Sequence, residues 1–225
     1  NRSWAMTNQP PRPDFIRHWT ALEGADNGHY PNSDELLSIG APLARALGLK
    51  AIGIHHERLP PGRRTSYPHA ESHEEEFVFV LEGAPDVWID GHLHRLEPGD
   101  AVGFPAGTGL CHTFLNNTGS EVRLLVVGET PKAENKVYYP CNPEMMPLRK
   151  DWWQDVPHRP KGPHHGKPGE RGTGPTLSEH RPDCIVQVRD HEGEPEPSYY
   201  DDPEQMKINV DLSTHFGLTR IGIHH

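Results

Sequence analysis

The sequence is short of the residues that build large apolar cores and disulfide frameworks. Only 33% of its 225 residues are hydrophobic, and its three cysteines lie far apart. An odd number of widely spaced cysteines does not form a disulfide framework, so we expect a reducing, cytoplasmic environment. No apolar run approaches the roughly 20 residues of a membrane-spanning helix. We therefore expect no membrane partner.

Clustered positive charge is also missing. The 22 lysines and arginines face 32 aspartates and glutamates, and the longest unbroken basic run is two residues. Proteins that bind nucleic acids neutralise phosphates with a clustered cationic surface. The charge pattern therefore argues against a nucleic-acid partner and leaves a small molecule as the expected ligand.

Turn residues are abundant, and they separate short β-type segments. The chain has 22 glycines and 24 prolines, and strands at intervals of 8–12 residues between such turns indicate an all-β sandwich or barrel. The predicted strands are Ala51–His56, Glu76–Leu81, Asp86–Ile89, Leu93–Leu96, Ala101–Phe104, His112–Leu115 and Val122–Val127. A short helix is predicted from Pro42 to Leu47, because proline suits a first helical position and Gly48 then ends the helix.

An internal repeat suggests the domain organisation. Residues 12–56 align without a gap to residues 181–225, with 17 identities in 45 positions, and both segments end in IGIHH. We interpret the chain as one full unit followed by the start of a second, that is, as a fragment of a two-unit protein. The predicted parts are an N-terminal arm (1–35), a barrel with a C-terminal extension (36–156), a Pro/Gly/His-rich linker (157–180) and the start of a second unit (181–225).

The histidines and glutamates point to a metal site. Alternate residues of a strand share a face, so His69, Glu71 and His73 are predicted to point together. Glu76 opens the next apolar strand, and His112 opens another after a Pro/Gly turn. Two imidazoles with one or two carboxylates suit a mononuclear site, as in non-haem iron or zinc proteins. The candidate ligands are His69, Glu71, Glu76 and His112, with His73 in reserve.

These residues and their spacing resemble the motifs of the cupin superfamily, whose members are jelly-roll barrels. The first cupin motif is matched by Gly62, His69, Glu76 and Gly83, and the second by Gly99, Pro105, Gly107, His112 and Asn116. The resemblance covers about residues 40–130. It implies an all-β cupin double-stranded β-helix, here with an N-terminal arm and a short helix, and one divalent metal ion (Fe, Mn, Zn or Ni).

The sequence departs from the motif at one ligand position. Glu71 stands where the motif usually has its second histidine, so a fourth ligand of carboxylate type would favour harder ions such as Fe(II) or Mn(II). If Glu71 does not bind, the site is a two-histidine, one-carboxylate triad, and Glu71 is free to move protons.

The fold alone does not choose the activity. The resemblance implies a metal-binding barrel that acts on or binds a small polar or anionic metabolite, as a dioxygenase or an isomerase. The alternative is a non-catalytic barrel that binds or senses a small molecule. Arg58 and Arg64 are candidate clamps for an anionic ligand, with a surface role as the alternative. Because jelly rolls have edge strands to cover, a homodimer is also compatible with the sequence.

Overall fold

A computed structural model describes residues 11–169, and this part of the chain is built almost entirely of short strands and turns. The strands are β1 (Ile39–Pro42), β2 (Ile52–Leu59), β3 (Ala70–Glu71), β4 (Glu76–Glu82), β5 (Asp86–Ile89), β6 (His92–Arg95), β7 (Ala101–Phe104), β8 (His112–Leu115), β9 (Val122–Glu129) and β10 (Val137–Tyr138). The helical elements are α1 (Leu43–Ala46) and two 3-10 turns, Trp19–Ala21 and Pro143–Leu148.

One sheet has five strands in the order β1-β2-β9-β4-β7, and all its neighbouring strands are antiparallel. Its strands alternate between two faces, as the pleat requires. On β4, for example, Val78 and Val80 are buried while Phe77 is 42% exposed. Glu76 has the parity of the buried valines, so the same alternation turns its side chain towards the interior.

The second sheet is assembled from two pieces. Strands β6-β5-β8 form a three-stranded sheet, and β10-β3 form a two-stranded one. Two bridges, Arg64 with Leu115 and His69 with His112, join the segment before β3 to β8. The second bridge brings the two histidines of separate motifs onto neighbouring strands.

The main core lies between the two sheets, as in a jelly roll. Leu59, Val78 and Leu124 from the five-stranded sheet pack with Val87 and Phe114 from the other sheet. A second apolar cluster covers the outer side of β5 and β8, with Trp88, Leu115 and Trp153 at its centre. The predicted all-β jelly-roll fold is confirmed, although the overall hydrophobic content is low.

The N-terminal arm packs along the outer side of the five-stranded sheet. The Trp19 ring stacks on the buried His56 ring, with centroids 4.1 Å apart. Arg58 donates hydrogen bonds to the Glu23 carboxylate (3.1 Å to Oε2) and to Glu121 (2.6 Å). These contacts hold the N-terminal arm against the sheet, although the arm has few apolar residues of its own.

Residues 157–169 were predicted to belong to a linker, and they contact the barrel. The Trp88 indole donates a 2.8 Å hydrogen bond to the His164 carbonyl, and Arg64 donates a 2.7 Å bond to the Gly166 carbonyl. The Gly162 amide donates to the Asp90 carbonyl at 2.7 Å. A segment without apolar side chains can therefore dock through its backbone, which composition alone does not reveal.

The predicted strands match the observed ones to within a few residues, and the predicted helix corresponds to α1. Three short strands were not predicted: β1, β3 and β10. The repeat at 181–225 and the end of the predicted linker lie outside the described residues. Within residues 11–169, no helix is long and apolar enough to cross a membrane.

Candidate metal centre

The structure brings His69, Glu76 and His112 together at one end of the barrel. Each offers a ligand atom, and these atoms all lie within 4.8 Å of one another. His69 comes from the segment that pairs with β8, Glu76 from the start of β4 and His112 from the start of β8. His112 and Phe114 share the interior face of β8 because alternate residues of a strand point the same way.

Backbone carbonyls orient both imidazole rings. The Nδ1 atom of His69 lies 2.9 Å from the Tyr67 carbonyl, and that of His112 lies 3.5 Å from the Leu110 carbonyl. Either nitrogen of a neutral imidazole can carry the proton, and with the proton on Nδ1, next to the carbonyl, Nε2 is free to bind a metal. Histidine ligands in metalloproteins are oriented in this way.

The Nε2 atom of His112 lies 3.2 Å from Oε1 of Glu76. A lone pair and a carboxylate at this separation repel each other unless a proton or a cation lies between them. The donor set therefore fits a divalent ion bound by two imidazoles and one carboxylate.

The protonation states also suit ligands. Burial, followed by the nearby charge of His112, lowers the pKa of His69 to about 4, so this ring is neutral at pH 7. Burial by itself raises the pKa of Glu76, but the hydrogen bond to His112 and the charges of both histidines outweigh it and lower the pKa. A neutral imidazole and an ionised carboxylate are the forms that bind metals.

Phe104 forms one wall of the site. Its ring stacks on the His112 ring, with centroids 3.4 Å apart and an angle of 7° between the planes. Phe104 lies opposite Glu76 in the pairing of β4 with β7. The phenyl ring thus limits the rotation of one candidate ligand beside another.

A small cavity that is open to solvent lies over the site. Its lining includes three carboxyl groups, from Glu71, Glu74 and Glu76, together with Thr108 and Leu110. Burial and the charges of Glu74 and Glu76 raise the pKa of Glu71 to about 7. The cavity thus holds a carboxyl group suited to proton transfer near neutral pH.

The structure separates the remaining sequence candidates. Glu71 lines the cavity, but it is not part of the three-residue cluster found in the described residues. The chain bends after β3, so His73 does not continue the alternation that was predicted for it. His73 is exposed, and its ring contacts Ser72 at 2.7 Å. A ligand role for Glu71 stays a prediction.

Neither candidate anion clamp lines the cavity. Arg58 is bound to Glu23 and Glu121 of the arm and barrel. Arg64 is buried and bridges Glu35 and the Gly166 carbonyl. Both arginines therefore connect parts of the fold.

Two residues near His69, Tyr139 and Arg149, were not predicted as part of the site. The Tyr139 ring centroid lies 6.0 Å from that of His69, and Arg149 donates a 3.0 Å hydrogen bond to the Tyr139 hydroxyl. Tyr30, from the N-terminal arm, stacks on Tyr67. Tyr30, Tyr139 and Arg149 lie outside the cupin motifs and far apart in the sequence, so no local signal could have identified them.

Comparison with known proteins agrees with this geometry. Residues 55–128, which include all three clustered residues, match the family model of the cupin domain. The chain is 30% identical over 134 residues to the rhicadhesin receptor of Pisum sativum, covering 56% of this chain and 58% of that protein. The chain thus spans little more than half the length of this curated relative.

Two solved structures are similar. A proposed sugar phosphate isomerase from Acidithiobacillus ferrooxidans is 25% identical, with a TM-score of 0.51, over 56% of this chain and 81% of that one. A sugar phosphate isomerase of Silicibacter pomeroyi is 37% identical, with a TM-score of 0.44, over 45% of this chain and 64% of that one. The family match over residues 55–128 and the jelly-roll architecture identify this part of the chain as a cupin domain.

Proposed function

We propose that this cupin barrel is a metal-dependent isomerase of small hydroxy-carbonyl compounds. The observation that carries the proposal is the position of Glu71, which lines the same cavity as Glu76 and His112. Isomerisation of a hydroxy-carbonyl compound needs an acid–base group beside an electrophile that polarises the carbonyl, and a bound metal ion can be that electrophile. The similarity to a proposed sugar phosphate isomerase supports this class of reaction.

His69, Glu76 and His112 would hold one divalent ion, with Fe, Mn, Zn and Ni as the candidates. When bound, the ion supplies a Lewis acid that polarises the substrate carbonyl. Glu71 removes the proton from the carbon next to the carbonyl and returns it to the former carbonyl carbon. The hydroxyl proton passes between the two neighbouring oxygens, so the reaction needs no co-substrate.

The test is isotope exchange in D₂O with metal-loaded protein and a panel of aldoses. The proposal expects deuterium in the ketose product, and Glu71→Gln is expected to lower the rate by about 10²-fold or more while metal content is kept. Glu75→Gln is the matched control, because Glu75 is exposed and does not line the cavity. Unchanged exchange in Glu71→Gln would refute the assigned role, and oxygen uptake by the iron-loaded protein would favour a dioxygenase.

A non-catalytic binding barrel is the second candidate, and the similarity to a protein named as a receptor favours it. This function expects saturable binding of a polyol or sugar with no isotope exchange in any metal form. The same D₂O experiment therefore separates the two candidates.

Location and assembly remain proposals. The three widely spaced cysteines favour a cytoplasmic protein, and the edge strands β1 and β7 favour pairing in a homodimer. Sedimentation of the purified chain tests the second point.

A further inference from the structure

We propose that the cavity selects uncharged polyhydroxylated molecules and discriminates against their phosphate esters and carboxylates. This inference rests on the proposed function and adds the substrate class. It follows from the charges around the cavity and from the places where the nearby arginines and lysines are engaged.

The cavity wall is acidic. Glu71 and Glu74 line the cavity in addition to Glu76, and within residues 11–169 no lysine or arginine belongs to the lining. The chain as a whole carries a formal charge of −10. A phosphate or carboxylate that entered would approach Glu71 and Glu74 in addition to Glu76, and repulsion between like charges would raise its free energy relative to that of a neutral molecule.

Two cations near the cavity, Arg149 and Lys132, are already paired. Arg149 makes a bidentate ion pair with Asp151, through Nε at 2.9 Å and through Nη2, and its remaining Nη1 donates to Tyr139. Lys132 donates 2.6 Å hydrogen bonds to Glu129 and to the His73 carbonyl. To bind an anion, either residue would have to give up these partners.

The two arginines that the sequence suggested as anion clamps are engaged elsewhere. Arg58 bridges Glu23 and Glu121, and Arg64 is held in the interior between Glu35 and Gly166. The described part of the chain therefore offers the cavity no unpaired guanidinium for bidentate recognition of a phosphate.

The same wall suits hydroxyl groups. Carboxylate oxygens accept hydrogen bonds, and a polyol presents several O–H donors. Glu74 already accepts a 2.6 Å hydrogen bond from the Lys132 amide through one oxygen, which fixes its side chain and leaves the second oxygen for a ligand. Phe104 and Leu110 add apolar surface for the carbon chain of the ligand.

The experiment measures binding of xylitol and xylitol 5-phosphate to the manganese-loaded full chain by isothermal titration calorimetry. The inference expects xylitol to bind at least about tenfold more tightly, which corresponds to 1.4 kcal/mol. Glu74→Gln is an isosteric change that keeps an acceptor for the Lys132 amide. In this variant the ratio of the two dissociation constants should fall by about threefold or more. Glu75→Gln should keep the wild-type preference.

Equal or tighter binding of the phosphate ester would overturn the inference. If aldose phosphates were also isomerised, the proposed reaction would survive while the substrate class would be wrong. Tighter binding of xylitol without isomerisation of any aldose would support the selectivity and refute the catalytic proposal. Binding of neither compound at millimolar concentrations would overturn both.

Discussion

Arg64 is expected to be a large contributor to stability, because it ties three parts of the fold together from the interior. Only 1% of its surface is exposed. It donates to the Glu35 carboxylate of the N-terminal arm at 2.6 Å and to the Gly166 carbonyl at 2.7 Å. Its guanidinium also lies 4.5 Å from the centre of the Tyr67 ring.

The expected cost of Arg64→Ala follows from these contacts. Loss of a hydrogen bond between charged groups costs about 1.5–3 kcal/mol, and the lower value applies because Glu35 can rehydrate. An unsatisfied Gly166 carbonyl costs about 1–3 kcal/mol, and the cation–π contact contributes about 0.5–1 kcal/mol. Among the described residues the buried Nε atom of Arg64 has no hydrogen-bond partner, so removing this unsatisfied group offsets part of the cost. We expect a net loss of about 3 kcal/mol in the free energy of unfolding.

Urea denaturation, followed by tryptophan fluorescence, measures this loss. Arg63→Ala is the matched control, because the neighbouring Arg63 pairs with the solvent-exposed Asp26 and donates to the Leu37 carbonyl at 3.1 Å, contacts that should matter less than those of the buried Arg64. A loss below about 1 kcal/mol in Arg64→Ala, or equal losses in the two variants, would refute the reasoning.

Two further predictions concern stability. Burial lowers the pKa of His56 below its usual value, so the unfolded chain binds more protons than the folded one. The free energy of unfolding should therefore fall on acidification below about pH 6.5. His56→Phe keeps the stack on Trp19 and should weaken this pH dependence in thermal melts between about pH 5 and pH 7.5. Gly83→Ala should lower the free energy of unfolding, measured in urea, by about 2–3 kcal/mol, because φ is +83° and the new Cβ would lie 2.8 Å from Val122. Gly62→Ala should lower it by only about 1 kcal/mol, because φ is also positive, at +76°, but the space around the new Cβ is open. An unchanged pH profile or equal glycine effects would contradict these accounts.

Much of the fold was predictable, because in this chain hydrophobic alternation and turn residues agree. Strands such as β5 and β8 have clear turn signals on both sides, and their observed bounds equal the predicted ones. Strands β3 and β10 have two residues each and are defined by long-range pairing, with each other and, at Val137, with Trp152. A strand of this kind has no periodicity to detect.

The three clustered site residues were predictable because each occupies a motif position with a fixed strand parity. The local sequence did not predict that the chain bends after Glu71, and this bend separates His73 from the alternation. The pairing of the arginines was also hidden, because the partners of Arg64 lie 29 and 102 residues away. Residues far away in the sequence therefore determine whether a charged side chain faces the cavity or pairs within the fold.

The most direct test of the account is the metal content of the purified, untagged chain and of His112→Ala, measured by elemental analysis. We predict about one equivalent of a divalent ion in the wild type. The ion should be lost in His112→Ala and in Glu76→Gln and retained in His73→Ala. Circular dichroism checks that each variant is folded. No metal in the wild type after reconstitution with Fe, Mn, Zn and Ni, or full metal content in folded His112→Ala, would contradict the proposed centre.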